Sequence, residues 1–165
     1  MTLSHTLLQE LEHETKTTRR VLERVPNDLL NWKPHPKARK LGQLALHIAT
    51  VPGAVAELGK SSPAQVRPFT DPSPSSAAEL VPALDKSVAS AKAIVGSMDD
   101  AALLETWQLM RGDQEVMAMP RVAFLRAIML NHWYHHRGQL TAYLRELDVP
   151  IPSIYGPSAD ENPFA

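Results

Sequence analysis

Apolar residues return every three or four positions in four long stretches, which is the period of a helix with one buried face. The first covers residues 2–25. Leu7, Leu11, Thr18, Leu22 and Val25 share its stripe, while Gln9, Glu12, His13, Lys16 and Arg20 face the other way. Glu14 sits on the apolar stripe, where a carboxylate needs a cation, a ligand or an opening to water. The second stretch, residues 40–58, places Leu44, His47, Val51 and Ala54 on one face, with Gln43 on its flank. Pro52 withholds a donor from the carbonyl of Ile48, yet Val55 and Leu58 keep the period. The expectation is therefore one kinked helix. The third stretch follows a capping box, Ser76-Ala77-Ala78-Glu79, and runs to residue 97 through Leu80, Leu84, Val88, Ala91 and Val95. Pro82 moves its expected start towards Leu80. Pro120 suits the first turn of the longest helix, residues 120–147.

The intervening segments read as connections. Lys33-Pro34-His35-Pro36 cannot continue a helix. Residues 59–75 hold Pro63, Pro68, Pro72 and Pro74, and predict a long loop crossing the molecule. Residues 99–119 begin with a short helical turn and then lose any clear period. We read 106–119 as irregular, with an extended piece at 116–119 and with Trp107 turned inward. The tail, residues 148–165, is rich in proline; Ile151, Ile154 and Tyr155 predict that its first half docks and its end frays. No repeat, Gly-rich phosphate loop or strand alternation stands out. Four inward stripes predict an all-α four-helix bundle forming a single domain over residues 1–165.

Composition narrows the function. The chain has 165 residues, a formal net charge of −1 and no cysteine. No basic field exists for nucleic acid or an anionic membrane. No apolar run appears to reach the roughly 18 residues of a membrane span, and no signal peptide is expected. These features predict a cytoplasmic protein. Without thiolates, any metal must be held mainly by nitrogen and oxygen.

Three of the seven histidines lie in Asn131-His132-Trp133-Tyr134-His135-His136-Arg137-Gly138-Gln139-Leu140. His132 and His136 stand one turn apart on a helix face, on a stripe running from Leu125 and Ile128 to Gln139 and Tyr143. They can share a metal ion if a third ligand joins them. His47 is the other histidine on an apolar stripe of a long helix. Neutral imidazole suits zinc, nickel, copper and iron. Three protein ligands leave positions for water or substrate, and water on such an ion has its pKa lowered towards about 7. His135 reads as a neighbour of the site or an interface residue, and Gln43, Gln139 and Tyr143 as pocket residues. Arg137 reads as a surface ion-pair residue. Gly138 predicts the close approach of another helix, within the bundle or across a dimer. Two alternatives remain at this level: histidines hydrogen-bonded in a core without metal, and a structural ion bracing a non-catalytic module.

The run from His132 to Leu140 resembles the H-x-x-H-H-R-G-Q signature of the DinB-like superfamily. Leu41-Gly42-Gln43-Leu44-Ala45-Leu46-His47-Ile48-Ala49 is similar to that family's second-helix motif. Trp32-Lys33-Pro34-His35-Pro36 and the tail from Pro152 to Glu161 also resemble family segments. The resemblance implies an up-down-down-up bundle, often dimeric, with a divalent metal on three histidines that match His47, His132 and His136. Zinc or nickel comes first, then iron or manganese. Relatives include transferases for low-molecular-weight thiols, a maleylpyruvate isomerase and hydrolases. The expectation is thus a homodimeric, metal-dependent enzyme that activates a low-molecular-weight thiol or water against a small-molecule substrate. Glu14 is the candidate general base, or else the partner of a lysine or arginine.

Overall fold

The four periodic stretches are helices, and the stretch without a period is a hairpin. The computed structural model describes residues 1–68 and 70–165; Phe69, inside the predicted loop 59–75, lies outside the described residues. Helix α1 spans Leu3–Leu22, α2 Leu41–Gly59, α3 Leu80–Gly96, α4 Asp100–Leu104 and α5 Arg121–Phe124. A π-helical segment, Leu125–Asn131, joins α5 to α6, His132–Glu146. Helix α2 packs on α3 and α6, and α1 packs on the same two. One apolar core fills the space between them, with Leu11, Leu44, Ile48, Leu84, Val95, Met129, Trp133 and Leu140 fully shielded from solvent.

Local sequence explains the helix starts. Thr2 caps α1 by accepting from the amide of His5 at 3.2 Å. Ser76 and Glu79 form the expected capping box around a one-turn 3-10 helix, Ala77–Glu79, so α3 itself begins at Leu80. Helix α2 continues through Pro52. Beside it, a Cβ at Gly53 would lie 2.8 Å from the backbone oxygen of Ser87. Only glycine lets α2 and α3 approach this closely, and the hydroxyl of Ser87 accepts from the Gly53 amide at 2.8 Å and donates to the Thr50 carbonyl at 3.0 Å.

Four expectations need correction. First, residues 106–119 are ordered strand. β2 (Thr106–Arg111) pairs antiparallel with β3 (Gln114–Pro120), and β1 (Ala64–Gln65) lies parallel beside β2 in the order β1-β2-β3. The protein is mostly helical with a small three-stranded sheet, not all-α. The alternation is faint because β3 is largely exposed on both faces and only Trp107 of β2 is fully buried. Gly112, at φ +59°, makes the hairpin turn. Trp107 does turn inward: it stacks on Phe124 at 3.8 Å and donates to the carbonyls of Leu58 and Ser61.

Second, the last helix is not uniformly α. The π segment accommodates an extra residue, so the core face passes through Leu125, Met129, Trp133, Arg137, Leu140 and Leu144. An uninterrupted α period from Leu125 and Ile128 had placed the histidines there instead. Third, Gly138 is exposed, and a Cβ on it would meet nothing within 4 Å, so among the described residues no helix crowds it within the bundle. Fourth, α2 does have the length and composition of a membrane span, at a mean hydropathy of 1.2; 61% of that window is buried inside the protein, because its apolar residues form the core. The tail is tied down further than expected. Asp160 accepts from the Ile151 amide and pairs with Arg145, and Glu161 pairs with Arg20.

Candidate metal centre

His47 comes from α2 and His132 and His136 from α6, so the site depends on how those two helices meet. Pro52 is four residues after Ile48 and has no N–H to give its carbonyl. The indole N–H of Trp133 donates to that carbonyl at 2.8 Å, within the core. This bond joins the residue after His47 to the residue after His132. The position of the site is thus set by a proline-freed acceptor and a buried tryptophan.

One ligand atom from each of His47, His132 and His136 lies within 4.8 Å of the others. The Nε2 atoms of His132 and His136 are 2.9 Å apart, and the His47 ring stands 5.2 Å from that of His132 and 4.7 Å from that of His136. All three are half-buried. Burial is the main reason their pKa values fall. His47 is lowered to about 3, with the charge of Arg39 and the two other imidazoles adding to the effect. For His132 the Ile128 carbonyl opposes burial, and for His136 the side chain of Gln139 does, yet both remain lowered. Three neutral imidazoles therefore converge at pH 7. Oε1 of Gln139 sits 3.0 Å from Nδ1 of His136. An acceptor there holds the hydrogen on Nδ1 and leaves the Nε2 lone pair directed to the cluster.

Three nitrogen donors with no carboxylate among them suit a borderline divalent ion such as zinc or nickel, and leave coordination positions for other ligands. A cavity of about 380 Å³ opens beside His47, with Thr50, Ala54, Leu58, Arg67 and Asp71 among its walls. That volume lies within the range of small-molecule sites.

The other candidate residues take varied places. Gln43 secures the wall of the cavity: it accepts from the Lys40 amide at 3.0 Å and donates to the Asp71 carbonyl at 2.9 Å. His135 is exposed, its ring 4.9 Å from that of His136. Tyr143 is buried edge-on against Trp32 at 5.6 Å. Glu14 is buried but does not join the histidine cluster. Its carboxylate meets Nη1 of Arg137 at 2.6 Å and accepts from the hydroxyl of Tyr155 at 3.0 Å. Arg137, read from the pattern as a surface residue, is 1% exposed. It also donates to Thr18 Oγ1 at 3.1 Å and to Tyr155 at 2.6 Å. The π segment is the cause, since it turns Arg137 onto the core face.

Sequence reasoning missed Arg39, Arg67 and Asp71. Arg39 pairs with Asp71 at 3.2 Å, and its charge acts on all three histidines. All three residues stand in or beside proline-rich loops, where no periodicity assigns a facing.

Comparison with known proteins shows the fold and the family. A crystal structure of a DinB-like protein from Bacillus cereus ATCC 10987 superposes with a TM-score of 0.70 at 26% identity, covering 90% of this chain and 95% of that one. The DinB-like protein YjoA from Bacillus subtilis shares the fold, with a TM-score of 0.67 at 18% identity over 94% of this chain and 98% of that one. The uncharacterised protein YrdA from Bacillus subtilis (strain 168) is 40% identical over 43 residues, a match spanning 26% of this chain and only 25% of YrdA. The sequence model of the DinB family matches residues 1–162, and the chain belongs to that family.

Proposed function

We propose that the protein is a divalent-metal-dependent enzyme whose ion is held by His47, His132 and His136, and which activates a low-molecular-weight thiol or water for transfer to a small electrophilic substrate. The observation that supports this reading is the convergence of three neutral imidazoles within 4.8 Å beside a cavity. Zinc or nickel fits the donor set best, with iron or manganese next. When bound, such an ion lowers the pKa of the thiol or water that reaches it. The chain's own residues do the rest. Gln139 fixes the His136 tautomer, and the Trp133 bond to Ile48 holds α2 and α6 in register. The cavity beside His47 supplies room for the electrophile. Glu14 is not used as a base in this reading, because Arg137 and Tyr155 already engage its carboxylate.

The same reading takes residues 1–165 as one domain with an up-down-down-up bundle. Pairings of Glu10 with Arg126 of the π segment and Glu14 with Arg137 of α6 support α1 running parallel to the last helix, and those of Arg19 with Asp85 and Glu12 with Lys92 support antiparallel α1 and α3. It also takes the protein as cytoplasmic and homodimeric; light scattering after size exclusion should give twice the chain mass, and a mass of one chain removes the dimer from this reading. The central test is metal content after purification without chelator. His47→Ala, His132→Ala and His136→Ala are each expected to lose the ion; full retention in any one removes that residue from the site. Turnover of an electrophile that requires one particular thiol assigns a transferase, and turnover without thiol assigns a hydrolase. A metal-bound protein with neither activity, whose melting temperature collapses on chelation, is a structural-ion module instead.

A further inference from the structure

The cavity beside His47 does not end there. A second cavity of about 400 Å³ shares Ala54, Leu58 and Arg67 with it, and continues over Val66 to Leu109 of β2. The two form one groove running from His47 to the sheet. Its floor is apolar, and Val66 is 39% exposed.

The charges along this groove do not cancel. Asp71, on the near wall, is held by Arg39 at 3.2 Å. Glu57, on the far wall, pairs with Lys60 at 3.6 Å. Arg67 lines both halves, and among the described residues it makes no hydrogen bond or ion pair. Arg67 is exposed, so its guanidinium stands in solvent midway along an apolar trough, open to an anionic ligand. Arginine offers a planar fork of donors that matches a carboxylate with two parallel hydrogen bonds.

We propose that Arg67 is a specificity residue, and that the groove takes a small organic carboxylate with an apolar portion. The carboxylate meets Arg67, and the apolar part lies over Ala54 and Leu58 towards His47 or over Val66 and Leu109 towards the sheet. The assignment rests on the proposed metal reading only for what happens at the His47 end. The groove and the charge of Arg67 stand without it.

Hexanoate and hexanamide test this, being alike in length and different in charge. Each is titrated into the zinc-loaded full-length protein, with the amide signals of Thr50, Ala54 and Leu58 followed by NMR. Hexanoate is expected to bind about tenfold or more tightly than hexanamide, the scale of a charge-assisted hydrogen-bonded pair. In Arg67→Gln that preference should fall to about twofold or less at unchanged zinc content, and Arg67→Lys should restore part of it. A preference that is equal in wild type and Arg67→Gln overturns the proposal. So does a preference lost only in His47→Ala, since the anion would then be bound at the metal centre. If the protein proves unable to hold zinc, the metal reading fails while the same titration of the zinc-free protein still decides the role of Arg67.

Discussion

His136 and Arg137 are adjacent in the chain and lie about 100° apart around α6, yet they belong to opposite kinds of site. Arg137 meets its complement: a carboxylate, two hydroxyls and a backbone carbonyl consume its donors, in a place that solvent barely reaches. His136 meets its own kind. Two other imidazoles converge on it, none carries an opposite charge, and a cavity opens beside His47. A buried polar group that finds complementary partners inside the protein contributes to structure. Like groups gathered at one point need something from outside to satisfy them. On this ground the carboxylate of Glu14 is engaged in structure, and the three histidines form a cluster that could hold a ligand, although all four were candidates for chemistry.

The comparison breaks most decisively at Arg137. Arg137→Ala leaves Glu14 buried and unpaired, and should cost about 3–5 kcal/mol in urea denaturation. The double replacement Glu14→Leu/Arg137→Met removes both charges, should recover most of that loss and should keep the metal. A double variant as unstable as the single one would show that the pair is not self-contained. Trp133→Phe comes next. It leaves the Ile48 carbonyl without its indole donor and should cost about 1–3 kcal/mol, with weaker metal retention because the bond aligns both ligand helices. Gln139→Ala should spare folding and lower metal affinity by about 10–100-fold, read by competition with a chromogenic chelator. Unchanged affinity would remove Gln139 from the support of His136.

The smallest effect concerns Glu10 and is a matter of pH. Its hydrogen bond to Arg126 is the main reason its carboxyl is held below the usual range, with Tyr134 helping and burial opposing. A lowered folded pKa stabilises the protein above the ordinary glutamate range, and that contribution disappears as pH falls through the folded value. The pair is partly exposed, so Glu10→Gln should cost about 0.5 kcal/mol or less at pH 7. The gap from wild type should close below about pH 4, in urea midpoints measured across that range.

Much of this arrangement was legible in the residues. The stripes of α1 and α3 gave their buried faces, that of α2 did so only in part, since Ala54 is exposed and His47 half-buried, and the Ser76 capping box and Pro52 marked features the structure retains. His47, His132 and His136 were identifiable because His132 and His136 stand one turn apart on one helix and the family motifs singled out all three. The hairpin was not legible, since strands that expose both faces lack the alternation that betrays a strand. Gly112-Asp113 was a turn signal without a pattern to frame it. The true facing of Arg137 was hidden for another reason. A π segment carries no residue code, yet it displaces every assignment made by counting past it. Arg67 and Asp71 lie in a loop, where side-chain direction follows from the path of the backbone and not from a period.

That π segment also sets where the chain can change in length. Between Leu125 and Asn131 the helix holds one residue more than an α-helix needs to join the same two flanks. A single deletion there is absorbed by restoring ordinary α geometry, leaving Phe124 on one side and Trp133 on the other in their places. The same deletion inside α6, between His132 and His136, swings everything beyond it by about 100°, sends His136 where His135 now sits and brings Arg137 to the place of His136. The helix thus has a segment that can absorb a deletion, and it lies immediately upstream of one where a deletion would dismantle both the ion pair and the histidine cluster.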